Sequence, residues 1–236
     1  MFWYIMMMLA AVLGIYAQIK INASYSKYSK VATATGVTGY EAARKMLDAH
    51  GLQDVTINEV SGTLSDHYSP NDKTLSLSQG VYAGASVAAV GVACHEAGHA
   101  YQHAESYGPL SLRSAFVPVV NFGSRLGPIL IAAGMALYWM MGSEYGYYIG
   151  LAGVAAFSLT VIFALITLPV EFDASNRAKA WLADSGLVYQ EELDGVSKIL
   201  RAAALTYVAS AIQAIANVLY YGASVRSTRN NSRSRR

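Results

Sequence analysis

The residues best suited to chemistry stand together in Cys94-His95-Glu96-Ala97-Gly98-His99-Ala100-Tyr101-Gln102-His103. The stretch holds the pattern H-E-x-x-H. On a helix, residues four apart share a face, so His95 and His99 stand one turn apart on the same side. Two imidazoles so placed can bind one Zn²⁺, with Glu96 beside the metal as general base. The preceding run, Ser86 to Ala93, is small and apolar, as suits a helix buried in a core. A helix without a function has no need of His-Glu-Ala-Gly-His after such a run.

A catalytic zinc site takes three protein ligands and a water. The third ligand must come from elsewhere in the chain. His103 is nearest, but it lies eight residues after His95, about 12 Å along the axis at about 1.5 Å per residue. A Zn–N bond is only about 2.1 Å. His103 is therefore expected beside the site or at the surface, not on the metal. Glu171 is the better candidate. It follows a long apolar run, and a carboxylate at the mouth of a membrane helix is costly unless something pairs with it. Asp173, two residues on, faces away from Glu171 on a helix and is expected as a cap or supporting group. Cys94 adjoins His95, but adjacent helical residues point about 100° apart. It reads as a small core residue.

Three stretches, in this order, carry a resemblance. They are Gly62-Thr63-Leu64-Ser65-Asp66-His67-Tyr68, then His95-Glu96-Ala97-Gly98-His99, then Leu168-Pro169-Val170-Glu171-Phe172-Asp173-Ala174-Ser175. Together they resemble the YugP-like neutral zinc metallopeptidases of bacterial membranes, which are similar to the larger HtpX-like membrane zincins. The likeness runs from about Thr35 to about Ala211. It implies a zinc peptidase with His95, His99 and Glu171 as ligands and Glu96 as base. One departure stands out: HtpX-like zincins tend to have an acidic residue four positions after the ligand Glu, and here that position is Ser175. The basic tail after Gly222 matches nothing in the family pattern.

The elements that must position these residues follow from composition and patterning. Apolar residues make up 54% of the 236 and charged residues 14%, against about 25% charged in soluble domains. Mean hydropathy is +0.30. Together these argue for membrane embedding. A net charge of +2 makes no case for nucleic acid, and one cysteine excludes an internal disulfide. Residues 1–19 are uncharged, about the ~20 needed to span a bilayer, and no basic residue precedes them as a signal peptide would require. They are expected as an uncleaved anchor. Thr38-Gly39-Tyr40-Glu41 is a capping box that opens a helix, and Gly51 stops it. Residues 54–60 alternate as a strand, and 64–68 with 74–78 read as a hairpin turned at Ser69-Pro70-Asn71-Asp72. Zincins lay extended substrates against such an edge, and His67 on this hairpin is a candidate to face the cleft. A hydrogen-bonded strand histidine is the equal alternative.

The zinc helix is expected over 84–105, ended by Gly108-Pro109. Pro118 and Arg125 delay the next span to about Leu126. It ends at Gly142, and 145–170 is then uncharged over 26 residues, so 126–170 forms a membrane hairpin. A hairpin returns the chain to the side it left, as His99 and Glu171 require. A helix to about Ala183 and a solvated helix over 190–201 follow. Residues 202–225 are uncharged, with Thr206, Ser210, Gln213 and Asn217 as a polar stripe on one face.

The expected fold is α+β, mainly α. It is a membrane-embedded zincin with a small β-sheet, an H-E-x-x-H helix and a transmembrane hairpin before the third ligand. The whole chain, 1–236, is one domain: anchor 1–19, sheet and zinc helix 36–110, hairpin 126–170, third-ligand and C-terminal helices 171–225, and a disordered basic tail 226–236. The expected activity is zinc-dependent endopeptidase cleavage of membrane or membrane-proximal proteins, with one Zn²⁺ per chain. For the oxyanion donor that hydrolysis needs, His67 and Tyr207 are candidates on the family pattern alone. The alternative is a non-catalytic membrane protein with a structural zinc site, such as an adaptor, which would have no need of Glu96. A transporter would want ionisable groups at mid-membrane, and the uncharged spans supply none. Lys20, Lys27 and Lys30 follow the anchor and no basic residue precedes it. The amino terminus is thus expected outside a bacterial cell membrane and the zinc site in the cytoplasm. Five arginines at the carboxyl end favour a last segment that does not span.

Overall fold

A computed structural model of the chain describes residues 2–233, with side chains described through residue 230. Its elements in chain order are α1 (Phe2–Tyr28), α2 (Gly39–Ala49), β1 (Thr56–Val60), β2 (His67–Ser69) and β3 (Thr74–Ser78). These are followed by α3 (Gln79–Tyr82), α4 (Val87–Ala104), α5 (Gly108–Met141), α6 (Glu144–Ser185) and α7 (Gln190–Arg233). The chain is mainly helical with one three-stranded sheet. Its residues group into two compact units. A helical unit takes 1–16, 112–167 and 207–236; a mixed unit takes 17–111 and 168–206.

In the mixed unit, Thr38 accepts from the Glu41 N–H while the Glu41 carboxylate accepts from the Thr38 N–H, the reciprocal cap read in the sequence. Gly51 follows at φ +73°. The sheet order is β1-β3-β2, with β1 parallel and β2 antiparallel to β3. The hairpin is shorter than the alternation suggests, because the chain from Ser61 to Asp66 is tied into a loop. Leu64 has φ +55°. The Asp66 carboxylate accepts from the Ser78 N–H at 2.7 Å and from its hydroxyl. The core holds Met46, Leu47, Leu75, Leu77, Val90, Leu182 and Ile199. Each such side chain contributes about 1.5–3 kcal/mol by leaving water. Five of these seven are on α2, β3 and α4, so the apolar side of α4 shares one core with α2 and the sheet.

In the helical unit, α5 runs unbroken through Pro118 and Pro128. Neighbouring helices can satisfy the backbone groups that proline frees in such a setting. The turn to α6 is only Gly142-Ser143, with Gly142 at φ +60°. The part of α7 from 207 onward packs along α6. Phe157 meets Tyr221 edge to face at 5.5 Å, and the Arg229 guanidinium lies 3.2 Å from Glu144 and 4.5 Å over the Tyr147 ring. Tyr4 lies 6.5 Å from Tyr220, and Met6, Leu9 and Leu13 line one groove with Leu219, Ile215 and Ile212. The start of α1, the α5–α6 turn and the end of α7 therefore share one end of this unit.

Two expectations change. The helix of the anchor continues past Ile19 to Tyr28, because Lys20 and Lys27 limit a span but not a helix. The tail is not disordered from residue 226. Together, 190–201 and 202–225 form the single helix α7, which runs to Arg233 and is held by the Arg229 contacts. Arg235 and Arg236 lie outside the described residues. Residues 207–230 pack on the hairpin within the helical unit. Among the described residues, four helices are long and apolar enough to cross a membrane: α1, α5, α6 and α7.

Candidate metal centre

α4 carries the H-E-x-x-H residues and is capped at its start by Ser86, whose hydroxyl accepts from the Ala89 N–H. It ends at Ala104, and the chain turns at Ser106, φ +54°, so that Gly108 opens α5 instead of stopping α4. Within the mixed unit it lies against the 168–185 stretch of α6. Gly98 makes that contact possible, since a Cβ there would stand 2.8 Å from the Ala174 carbonyl oxygen. The glycine between Glu96 and His99 thus serves approach, not flexibility.

The approach brings His95 Nε2 to 3.3 Å and His99 Nε2 to 3.6 Å from Glu171 Oε2. The three donor atoms all lie within 4.8 Å of one another. His95, His99 and Glu171 are 9%, 7% and 2% exposed. Two ligands of a tetrahedral zinc with bonds of about 2.1 Å stand roughly 3.4 Å apart. The His–Glu separations bracket that value. Two imidazoles and a carboxylate are also the donor set of an open zinc site, so these residues fit the ion. Among the described residues this is the one cluster of its kind. Burial works against protonation of His99, but hydrogen bonding to Glu171 and the charges of Glu96 and Glu171 raise its pKa above the ordinary histidine value. The pocket thus favours a positive charge where the ligand atoms meet.

The remaining candidates fall around this cluster. Glu96 is half-buried next to His95. Asp173 points away from the cluster, as its spacing from Glu171 requires. Its Oδ2 accepts from Gln102 Nε2 at 2.8 Å and from Arg177 Nε at 2.6 Å. Arg177 also pairs with Glu105 at 2.6 Å and lies 4.5 Å over the Tyr101 ring. The structure does not bring His103 to the cluster. Its Nδ1 lies 2.9 Å from the Tyr68 hydroxyl, whose own pKa burial pushes up to about 12, aided by the charge of Asp54. His67 is exposed on the edge strand β2, with Nδ1 2.9 Å from the Ser65 carbonyl oxygen. Tyr207 is half-buried in α7, in the helical unit. Cys94 is fully buried in the apolar core, which raises its thiol pKa and keeps it from acting as a thiolate.

Sequence reasoning missed two neighbours of the histidines. Gln102 Oε1 stands 3.0 Å from His99 Nδ1, and Ser175 Oγ stands 3.2 Å from His95 Nδ1. Ser175 occupies the position where the resemblance led one to look for an acidic group. Gln102 carried a signal only in its place, three residues after His99 and so on the same face.

Over residues 3–226 the chain matches the family described as "Putative neutral zinc metallopeptidase". It is also 48% identical over 219 residues to the "Putative membrane protease YugP" of Bacillus subtilis (strain 168), covering 92% of this chain and 94% of that one. No solved structure matches significantly. The chain belongs to this neutral zinc metallopeptidase family. It is a hydrolase with one His/His/Glu candidate metal site.

Proposed function

We propose that the chain is an integral membrane endopeptidase that cleaves membrane or membrane-proximal proteins. All 236 residues act as one metallopeptidase domain with one zinc ion. The observation that carries this reading is the convergence of His95, His99 and Glu171 donor atoms in a buried pocket. Zinc, when held there, polarises the scissile carbonyl and acidifies a water to a pKa near ~7. His95, His99 and Glu171 would supply three ligands to the ion, and an open site of this kind keeps its fourth position for water or substrate. Glu96 takes the proton of the attacking water and later gives it to the leaving amine. The water oxygen joins the carbonyl carbon, the C–N bond breaks, and the proton ends on nitrogen.

The two carboxylates should fail differently. Glu96→Gln keeps size and polarity but cannot accept the proton. Zinc content should stay at that of the wild type while cleavage falls by about 10²–10⁴-fold. Glu171→Ala removes a ligand and should lose zinc and cleavage together. Metal analysis beside cleavage of a membrane substrate decides the matter. Wild-type cleavage by Glu96→Gln would sink the mechanism, and full zinc in Glu171→Ala would sink the ligand assignment.

The same reading places the amino terminus outside a bacterial cell membrane and the metal site in the cytoplasm, from the three lysines after the anchor. The α5–α6 turn and the end of α7 then lie outside, so the terminal arginines stand against the charge rule. An impermeant maleimide applied to intact cells should label a cysteine placed at Ser143 and spare one at the exposed Asn71. Cys94, being buried, gives no background. The reverse pattern would invert the topology.

A further inference from the structure

The two histidines of the cluster are held in unlike ways. His95 Nδ1 faces the Ser175 hydroxyl at 3.2 Å. A hydroxyl can donate or accept, so it leaves the ring free to carry its proton on either nitrogen. His99 Nδ1 faces Gln102 Oε1 at 3.0 Å, and Gln102 is wholly buried. The other end of that amide lies 2.8 Å from the Val170 carbonyl oxygen and 2.8 Å from Asp173 Oδ2. Both are acceptors, so the NH₂ group must point to them. The amide oxygen must then point to His99, and His99 must carry its proton on Nδ1. That leaves the Nε2 lone pair free, and Nε2 is the atom that faces Glu171.

We propose that Gln102 is the positioning residue of the metal centre. One buried amide fixes the tautomer of His99 and ties it to the backbone immediately before Glu171. The Asp173–Arg177–Glu105 chain holds the far acceptor in place. A ligand on α4 and a ligand on α6 are thereby set by the same group, and Ser175 plays no equal part at His95. This inference rests on the metal reading above, but its first test does not.

The test uses the full chain as purified in detergent, labelled with ¹⁵N-histidine, at a pH where the ring is neutral. The His99 signal is assigned by its loss in His99→Asn. The expected spectrum has the proton on Nδ1, with or without zinc. A proton on Nε2 overturns the proposal, whatever any variant does. Gln102→Met keeps volume but neither accepts nor donates. It should release His99 from a single tautomer and weaken zinc binding, measured against a competing chelator, by about 10–100-fold, the scale of such outer contacts. Unchanged tautomer and zinc affinity in Gln102→Met would also overturn the proposal. A wild type that never takes up zinc counts against the metal reading alone, since the tautomer is still read.

Discussion

In the helical unit and in the mixed unit, helices approach closely through glycine, but the approach serves different ends. At Gly153 a Cβ would stand 2.6 Å from the Ile131 nitrogen and 2.7 Å from the Gly127 carbonyl oxygen. The neighbours are backbone and apolar side chains, as in membrane helices that associate through small residues. At Gly98 a Cβ would meet the Ala174 carbonyl oxygen at 2.8 Å. Around that contact stand His95, His99, Gln102, Glu171 and Asp173, all polar. The first approach builds a hairpin, and the second builds a pocket. Gly98 should therefore control the metal and Gly153 only stability.

Substituting each glycine tests that division. Gly98→Ala should push α4 away from Ala174 and spread the three donor atoms. Zinc affinity should drop by at least the ~10–100-fold seen when outer contacts of a metal are disturbed. Gly153→Ala should destabilise the chain by about 1–3 kcal/mol, as overpacking does, while zinc per folded chain stays at the wild-type level. Thermal melts beside metal analysis report both. Equal zinc loss in the two variants would show that the units are not separate in this respect. The smallest effect should come from Ser175→Ala, which removes one hydrogen bond worth about 0.5–1.5 kcal/mol. It should keep zinc at close to full occupancy. A loss as deep as that of Gly98→Ala would mean that His95 depends on Ser175 more than its ambiguous hydroxyl implies.

How far the sequence could be read depended on whether a signal was local. The spacing of His95 and His99 and the cap of α2 by Thr38 and Glu41 are set within one or two helical turns. Each is found where the pattern put it. Glu171 could be read because a carboxylate after a long uncharged run demands a partner. The course of α7 was not legible. Thr206, Ser210, Gln213 and Asn217 fit a buried face or an interfacial one equally well. In the structure Gln213 donates to Asn217 one turn on, at 2.8 Å, and Arg229 reaches Glu144, contacts that no pattern in the sequence marks. Gln102 was hidden for a similar reason. A glutamine near a helix end reads as surface, and its partner at Val170 is a backbone atom that no side-chain pattern marks. The ends of α1 and β2 were misplaced where charge or alternation was taken as a boundary that a loop or a longer helix overrode.

The central claim is that one zinc ion sits between two α4 histidines and Glu171. X-ray absorption at the zinc edge on the purified full-length protein tests it most directly. The account predicts one zinc per chain with two imidazole nitrogens at about 2.0–2.1 Å and oxygen donors at about 2.0–2.2 Å. A thiolate sulfur at about 2.3 Å, which would have to come from Cys94, the single cysteine, would contradict it, as would a third imidazole from His103 or His67.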